Sequence, residues 1–394
     1  MPDTSDTHGA SISRRTLLAG ASASLAAATL AACGEQDQTA STSTAPSTTA
    51  QVDGHQPGIA TPAQRHLQLA AFDLQRDDLG ALRDVLSAWS TEGHAAMAKP
   101  DAAQLSLTIG LGPTLFEQDG RDRLGLAARR PPPLAPMPAF PGDALEARHV
   151  GGDLCVQACA DDPQVAFDAI RTLTHQAAGT ATPRWTLSGF LPTTPGTPRN
   201  LMGFKDGTNN IAPDGIAALN RHVWVGPDDD PPWLRGGTYM VVRRIRTLLD
   251  VWDATSVEEQ EATIGRHKRT GAPLGSHREH DRPNLDATRH GAPVIASDAH
   301  IRLAAPATNN GTRIHRRSYN YTADVDPATG QPDVGLVFIS FQRDPAQFTR
   351  IQHRLARHDA LRKHLLHTGS AIFACPPRGD TKQPITGGLL FETS

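Results

Sequence analysis

Long apolar runs are missing from the interior of this 394-residue chain. No internal segment approaches the roughly 18–20 uncharged apolar residues that a membrane-spanning helix needs, so the sequence predicts no internal membrane span. An excess of charge of one sign is also missing, since 38 Lys and Arg residues face 41 Asp and Glu residues. The net charge of -3 argues against nucleic acid as a main partner. The 31 prolines and 34 glycines predict long loops rather than a helical bundle.

Cysteine is scarce, with four residues in the chain. Cys33 lies in an N-terminal leader, and Cys155 and Cys159 lie close together on one predicted strand. No second Cys or His pair at zinc spacing accompanies them, so we interpret them as small buried residues rather than as a metal or redox pair. A disulfide framework is not indicated.

The first 33 residues have the layout of an export signal. Arg14 and Arg15 precede an apolar run of mostly Ala, Ser and Gly, which resembles a twin-arginine signal for export to the periplasm or another extracytoplasmic space. The run ends in Leu-Ala-Ala-Cys-Gly, which resembles a bacterial lipobox with Cys33 as a candidate lipid anchor. Ordinary cleavage after a small residue is an equal alternative. Residues 34–60 are rich in Ser, Thr, Ala, Gln and Pro and predict a disordered tether.

Residues 61–200 predict a first folded domain. Apolar runs and alternating patterns predict strands at 67–74, 105–111, 154–158 and 185–191. Helical spacing of apolar residues predicts one helix from Asp77 to Trp89 and another around residues 165–173. The order strand, helix, strand, strand, helix, strand is the ferredoxin-like pattern.

Residues 201–394 repeat this order loosely and predict a second domain. Strands are predicted at 237–245, 334–341 and 371–375, with helices at 248–264 and 345–366. Ser256 and Glu259 form a capping pattern that predicts a break in the first of these helices. The whole predicts an α+β fold of two ferredoxin-like domains, with two antiparallel sheets packed face to face and helices outside.

Two stretches carry side chains suited to chemistry. Residues 203–210 (GFKDGTNN) have turn composition, but Gly207 would let the backbone approach a flat ligand, and Thr208, Asn209 and Asn210 could donate hydrogen bonds to a carboxylate. Residues 297–321 place His300 beside apolar residues and end in a basic cluster and two tyrosines. A surface turn, a hydrogen-bonded histidine and a solvated basic face are the respective alternatives.

In this order, the motifs GFKDGTNN, DAHIRL (298–303) and RRSYNY (316–321) resemble those of the dye-decolourising (DyP-type) haem peroxidases. The similarity runs from about residue 60 to the C-terminus and includes GTYMVVRRI (237–245) and IGRHK (264–268). It is greatest with the exported, iron-uptake-associated branch, which includes deferrochelatase-like proteins. The resemblance implies a pair of ferredoxin-like domains that holds one haem b per chain, mainly in the C-terminal domain.

Carried over by motif, His300 is the expected proximal iron ligand, and Asp206 and Arg316 are the expected distal acid and arginine. Arg316 would also lie near a haem propionate. The other expected haem contacts are Gly207, Thr208, Asn209, Ala305, Pro306 and Ala307.

This chain departs from the related branch at two points. Residues 305–307 read Ala-Pro-Ala where that branch has Asn-Pro-Arg, so a side-chain salt bridge at Ala307 is excluded. Ser318 stands where some relatives have a distal Asn, and that role is not carried over. Asp333 is the expected hydrogen-bond partner of His300, as a carboxylate on the second ring nitrogen supports oxidised iron.

The resemblance implies an enzyme that uses hydrogen peroxide to oxidise dyes or phenolic electron donors, as a monomer or a homodimer. Release of iron from haem and haem binding without turnover are the alternatives. Tyr319, Tyr321 and Trp252 are candidates for electron relay, with aromatic core as the favoured alternative. Within the basic cluster, Arg316 is singled out, and Arg313, His315 and Arg317 are expected to be ordinary surface.

Overall fold

The first half of the chain alternates strands with helices that pack on one face of its sheet. In the computed structural model, which describes residues 54–326, 329–379 and 386–392, this half contains four strands and two helices. They are, in chain order, β1 (His66–Leu74), α1 (Leu79–Met97), β2 (Ser106–Leu111), β3 (Leu154–Ala160), α2 (Pro163–Gln176) and β4 (Ala181–Phe190). The antiparallel strand order β4-β1-β3-β2 confirms the predicted ferredoxin-like arrangement.

The second half contains two further groups of elements. The first comprises α3 (Ile216–His222), β5 (Thr238–Thr247), α4 (Leu249–Asp253), α5 (Val257–Ile264), and the short strands β6 (Thr288–Arg289) and β7 (Ala292–Pro293). The second comprises α6 (His300–Ala304), β8 (His315–Arg316), β9 (Tyr319–Val325), β10 (Pro332–Gln342), α7 (Pro345–His358) and β11 (Leu365–Cys375). The strand order β11-β5-β10-β9 repeats that of the first half, with β8 added beside β10.

The two predicted sheets do pack together, and they also join at both edges. β2 pairs with β11 through Leu111 and Ala374, and β4 pairs with β9 through Phe190 and Asn320. The eight long strands therefore close on themselves. Inner residues of both halves form one buried cluster, which includes Leu67, Met240 and Ile339, while the opposite faces pack against helices.

Of the two helices predicted in the second half, one is confirmed and one is too long. The predicted break at Ser256 is confirmed, because α4 ends before it and the Ser256 hydroxyl caps α5 by accepting from the Glu259 amide at 3.2 Å. The predicted helix at 345–366 is too long, since α7 ends at His358. Asp359 has extended backbone dihedrals, and its carboxylate caps the following 3₁₀ turn at the Leu361 amide. β11 begins directly after this turn, earlier than predicted.

The N-terminal leader, including Arg14, Arg15 and Cys33, lies outside the described residues. The tether prediction is wrong for residues 54–60. The Gln56 side chain is buried and donates to the carbonyls of Ile109 and Pro376, and the His55 ring stacks on Trp224 at 3.7 Å. These polar side chains are held by hydrogen bonds, which composition does not reveal. Within the described part of the chain, no helix is long and apolar enough to cross a membrane.

Candidate active site

A cavity of about 1090 Å³ lies between the second-half sheet and helices α6 and α7. Apolar side chains of β5, β10 and α7, including Ile245, Phe338 and Ile351, form much of its wall. The cavity brings together every site residue predicted from the sequence: Asp206, Gly207, Thr208, Asn209, His300, Ala305, Pro306, Ala307 and Arg316. These residues come from three separate stretches of the chain, so the fold creates their proximity.

His300 is the first residue of α6, and it is oriented by a carboxylate. Its Nδ1 lies 2.6 Å from Oδ2 of Asp359, which is buried in the turn after α7. Burial alone would lower the pKa of His300, but the charge and hydrogen bond of Asp359 raise it above the ordinary value. When Nδ1–H donates to this carboxylate, Nε2 keeps its lone pair. Nε2 has no protein hydrogen-bond partner among the described residues, and His300 lines the cavity.

The prediction that Asp333 partners His300 is wrong. Asp333 accepts hydrogen bonds from Arg244 and, at 2.9 Å, from the Tyr321 hydroxyl. Tyr321 belongs to the inner cluster between the sheets, whereas Phe338 on the same strand as Asp333 lines the cavity. Alternation along β10 therefore places Asp333 away from His300. Sequence reasoning missed Asp359 because the predicted helix ran through it.

A second ion pair faces the same cavity. Arg316, on β8, donates through Nη1 to Oδ1 of Asp206 at 2.6 Å. Both side chains keep part of their surface exposed, 29% and 18% respectively, so a small molecule in the cavity can reach them. Asp206 Oδ2 has no hydrogen-bond partner within the described residues. The pair combines a fixed positive charge with a carboxylate oxygen free to accept a proton.

The Asn210 side chain locks the backbone of Arg316 to the loop that carries Asp206. Its Oδ1 accepts from the Arg316 amide at 2.8 Å, and its Nδ2 donates to the Arg316 carbonyl at 2.6 Å. Sequence reasoning offered Asn210 as a donor to a carboxylate, but its amide is already committed to this strand. Gly207 has φ +117°, a backbone conformation that L side chains rarely adopt. The turn thus presents bare backbone to the cavity.

Thr208 is also committed to a protein partner. Its hydroxyl donates to Glu279 at 3.0 Å, and Glu279 accepts from Thr197 and Lys205 as well. Burial would raise the pKa of Glu279, but these hydrogen bonds and the Lys205 charge lower it to about 2. No motif pointed to Glu279, because it lies in the long connection between α5 and α6, where periodicity is absent.

Two neighbours of Arg316 are structural and not ordinary surface, so that expectation is wrong for His315 and Arg317. Both are buried. The His315 ring nitrogens lie 3.1 Å from the carbonyls of Ile211 and Ile59, and Arg317 donates to the Thr61 carbonyl at 2.6 Å. Burial, with the Arg317 charge, lowers the pKa of His315 to about 4. These bonds tie β8 to the segment that precedes β1.

The turn at residues 305–307 follows α6 and lines the cavity. Asn309 holds it from behind by donating to the carbonyls of Leu303 and Ala305 at 2.8 Å. The turn offers backbone and the Pro306 ring to a ligand, without a charged side chain. Positively charged side chains line the cavity from other parts of the chain, among them Arg266, Arg282 and Arg313.

The candidate relay aromatics are core residues. Tyr319 and Tyr321 lie in the inner cluster, and Trp252 packs edge-on against Phe204 while its Nε1 donates to the Met202 carbonyl at 3.1 Å. All three are almost fully buried. Cys155 and Cys159 are also buried and free, as predicted.

The cavity fits a haem. It has apolar walls for a flat macrocycle, bare backbone at Gly207, arginines for carboxylate groups, and an imidazole Nε2 backed by a carboxylate for iron. The Asp206–Arg316 pair adds acid–base and electrostatic groups, which transport of haem does not need. The fold and the site together define a haem-dependent enzyme of the α+β class.

Comparison with known proteins identifies the family. Residues 56–191 match Dyp-type peroxidase, N-terminal, and residues 197–380 match Dyp-type peroxidase, C-terminal. The chain belongs to the Dyp-type peroxidase family, whose cofactor is haem. The family predicted from the motifs is therefore confirmed.

Individual relatives agree with this assignment. The chain is 40% identical over 354 residues to a dye-decolorizing peroxidase of Thermobifida fusca, covering 82% of this chain and 80% of that protein. It is 35% identical over 369 residues to a deferrochelatase of Escherichia coli K12, covering 85% and 86%. A crystal structure of a DyP-type peroxidase from Streptomyces coelicolor superposes with a TM-score of 0.80 at 37% identity, covering 86% and 96%.

Proposed function

We propose that this protein is a haem b peroxidase that uses hydrogen peroxide to oxidise dyes or phenolic donors, with His300, Asp206 and Arg316 as its central residues. The observation that carries the proposal is the Asp206–Arg316 ion pair on the cavity that also contains His300. A haem carrier needs an iron ligand and an apolar slot. A peroxidase also needs a group that moves a proton and a group that stabilises charge beside the peroxide.

On the proximal side, His300 would hold the iron through Nε2. Asp359 keeps the proton on Nδ1 and makes the imidazole a stronger donor. When bound, haem supplies the redox-active iron that peroxide oxidises and organic donors return to its resting state. Apolar residues of β5, β10 and α7 would pack against the flat macrocycle.

On the distal side, Asp206 and Arg316 divide the work on peroxide. Oδ2 of Asp206 is free to take the proton from one peroxide oxygen and deliver it to the other, which leaves as water. Arg316 holds Oδ1 of Asp206 in place and stabilises the negative charge that develops as the O–O bond breaks.

The test is replacement of Arg316 by Leu. Loss of one preorganised donor should lower kcat/KM for hydrogen peroxide by about 100- to 1,000-fold, while haem is retained through His300. Arg171→Leu is the control, because Arg171 lies on α2, does not line the cavity, and makes an exposed ion pair with Asp168 at 3.2 Å. Its kinetics should equal those of the wild type. Stopped-flow rates for Arg316→Leu that equal those of the wild type would remove Arg316 from this role.

Release of iron from haem is the second candidate function. The similarity to a protein named deferrochelatase supports it, at 35% identity over most of both chains. Incubation of the purified protein with haem under reducing conditions, followed by fluorescence of metal-free porphyrin, tests this function separately. If metal-free porphyrin forms and the protein does not oxidise donors with peroxide, iron release from haem is the function and the peroxidase proposal is wrong.

We also propose that the protein is exported through the twin-arginine pathway and that Cys33 anchors it to a membrane through a lipid. The sequence of residues 1–33 supports both points. Replacing Arg14 and Arg15 by Lys should trap the precursor in the cytoplasm, and Cys33→Ala should release the exported protein into the soluble fraction. If the variant proteins are found in the same cell fractions as the wild type, these proposals are contradicted.

We further propose that the protein assembles as a homodimer. Analytical ultracentrifugation of the purified protein measures its oligomeric state.

A further inference from the structure

Several side chains of the loop that carries Asp206 donate hydrogen bonds to one carboxylate, that of Glu279, which is not part of the Asp206–Arg316 pair. Glu279 accepts hydrogen bonds from the side chains of Thr197, Lys205 and Thr208. Two of these donors, Lys205 and Thr208, lie on either side of Asp206 in the sequence. All three donors belong to the same stretch, so Glu279 fixes the loop at several points at once.

Glu279 is itself held by a buried part of the fold. Arg266 follows directly after the end of α5 and is buried. Its Nη1 donates to the Glu279 carbonyl at 3.0 Å and to the Gly271 carbonyl at 2.7 Å. The Glu279 carboxylate is therefore placed by α5 and does not simply follow the motion of the Asp206 loop.

The charge of Glu279 is suited to this task. Its side chain is 14% exposed, and Lys205 provides the opposite charge at contact distance. The pKa of Glu279, lowered to about 2, keeps the carboxylate ionised at working pH. A neutral side chain of the same size would leave the Lys205 ammonium without its counter-charge and turn one amide N–H₂ toward groups that themselves donate.

We propose that Glu279 is a positioning residue for peroxide chemistry: it sets the Asp206 carboxylate against Arg316 by clamping Thr197, Lys205 and Thr208. The inference rests on the proposed peroxidase function for its kinetic consequence. Its structural consequence, an ordered loop at residues 197–210, is independent of haem and of turnover. The segment also receives support from the Asp206 amide, which donates to the Pro198 carbonyl at 2.8 Å.

The experiment compares Glu279→Gln with Glu117→Gln. Glu117 is the matched control, since it pairs with Arg130 at 3.4 Å on the surface of the first half and is 38% exposed. In cofactor-free protein, hydrogen–deuterium exchange of residues 197–210 should rise about tenfold in Glu279→Gln, because a charged hydrogen-bond network is lost. Exchange in β5 and β10 should match the wild type in both variants.

Kinetics of the haem-loaded proteins give the second measurement. In Glu279→Gln, kcat/KM for hydrogen peroxide should fall by about 10- to 100-fold, because misplacement of a catalytic group by about 1 Å has effects of this size. KM for the organic donor should stay unchanged. Thr197→Val removes one donor with almost no change in volume, and it should show a smaller change of the same kind, which tests the clamp if Glu279→Gln does not fold.

Unchanged exchange at 197–210 together with peroxide kinetics within about twofold of the wild type would overturn the inference. The inference would also be overturned if Glu117→Gln changed hydrogen exchange at 197–210 and kcat/KM for hydrogen peroxide as much as Glu279→Gln does, because the effect would then come from the loss of any negative charge. If the wild type itself lacks peroxidase activity, the proposed function fails, but the exchange measurement still decides whether Glu279 clamps the loop.

Discussion

At the scale of single residues, the site consists of two carboxylate pairs with different tasks. Asp359 orients His300 through its Nδ1, and Asp206 pairs directly with Arg316 on the wall of the same cavity. The identities of His300, Asp206 and Arg316 were predictable because each lies in a short motif with a distinctive sequence. Asp359 and Glu279 were not predictable in this way, since each acts through a contact between segments far apart in the chain.

Asp359→Asn tests the orientation of His300. Asparagine keeps an oxygen to accept from the Leu361 amide, now at 2.9 Å from Asp359 Oδ1, so the turn should fold normally. Its N–H₂ group, however, would face His300 Nδ1 and favour the tautomer with the proton on Nε2. Affinity for haem, measured by titration of the Soret band, should fall by about 10- to 100-fold. Wild-type affinity in this variant would contradict the role of Asp359.

At the scale of elements, patterns predicted strands and helix types better than they predicted their ends. β1 alternates between two buried faces, and α1 repeats its buried residues Leu82, Val85, Leu86 and Trp89 at helical spacing. The end of α7 at His358 escaped prediction because Asp359 overrides a pattern that continues to residue 366. The buried segment at 54–60 escaped because its polar side chains are satisfied by distant backbone groups.

Arg317→Met tests the contact between β8 and the segment before β1. The substitution keeps apolar volume but removes the hydrogen bonds to the Thr61 and Pro62 carbonyls and to the Gln64 side chain. The free energy of unfolding, from urea titration of the cofactor-free protein, should fall by about 2–3 kcal/mol because buried acceptors lose a charged donor. Arg313→Met, at a partly exposed position, is the control and should change stability by less than about 0.5 kcal/mol. Equal losses of unfolding free energy in Arg317→Met and Arg313→Met would contradict a stabilising role for the buried hydrogen bonds of Arg317.

At the scale of the whole molecule, the closed sheet gives the cavity one rigid wall. The prediction of two ferredoxin-like halves followed from element order, but the edge pairings through Leu111 and Phe190 did not. Such pairings depend on single backbone contacts, which leave no periodic pattern in the sequence. The helices on the outer face then enclose the haem site, while the inner cluster between the sheets serves stability.

Acid unfolding of the whole protein should reveal the Glu279 cluster. The folded-state pKa of Glu279, about 2, lies below its ordinary value of 4.5, so its contribution to stability is complete above about pH 4.5 and is lost as the pH falls toward 2. Urea unfolding of wild type and Glu279→Gln should therefore differ most near neutral pH and converge toward pH 2. A difference independent of pH would contradict this assignment.

The absorption spectrum of the haem-loaded protein, recorded before and after addition of hydrogen peroxide and then of a phenolic donor, shows whether this cavity holds a haem that reacts with peroxide. A haem peroxidase should give a Soret band that saturates at one haem per chain, shifts on addition of peroxide, and returns to its starting position when the donor is oxidised. A protein with no Soret band after reconstitution, or with a band that peroxide leaves unchanged, would contradict the assignment of this cavity to a haem peroxidase.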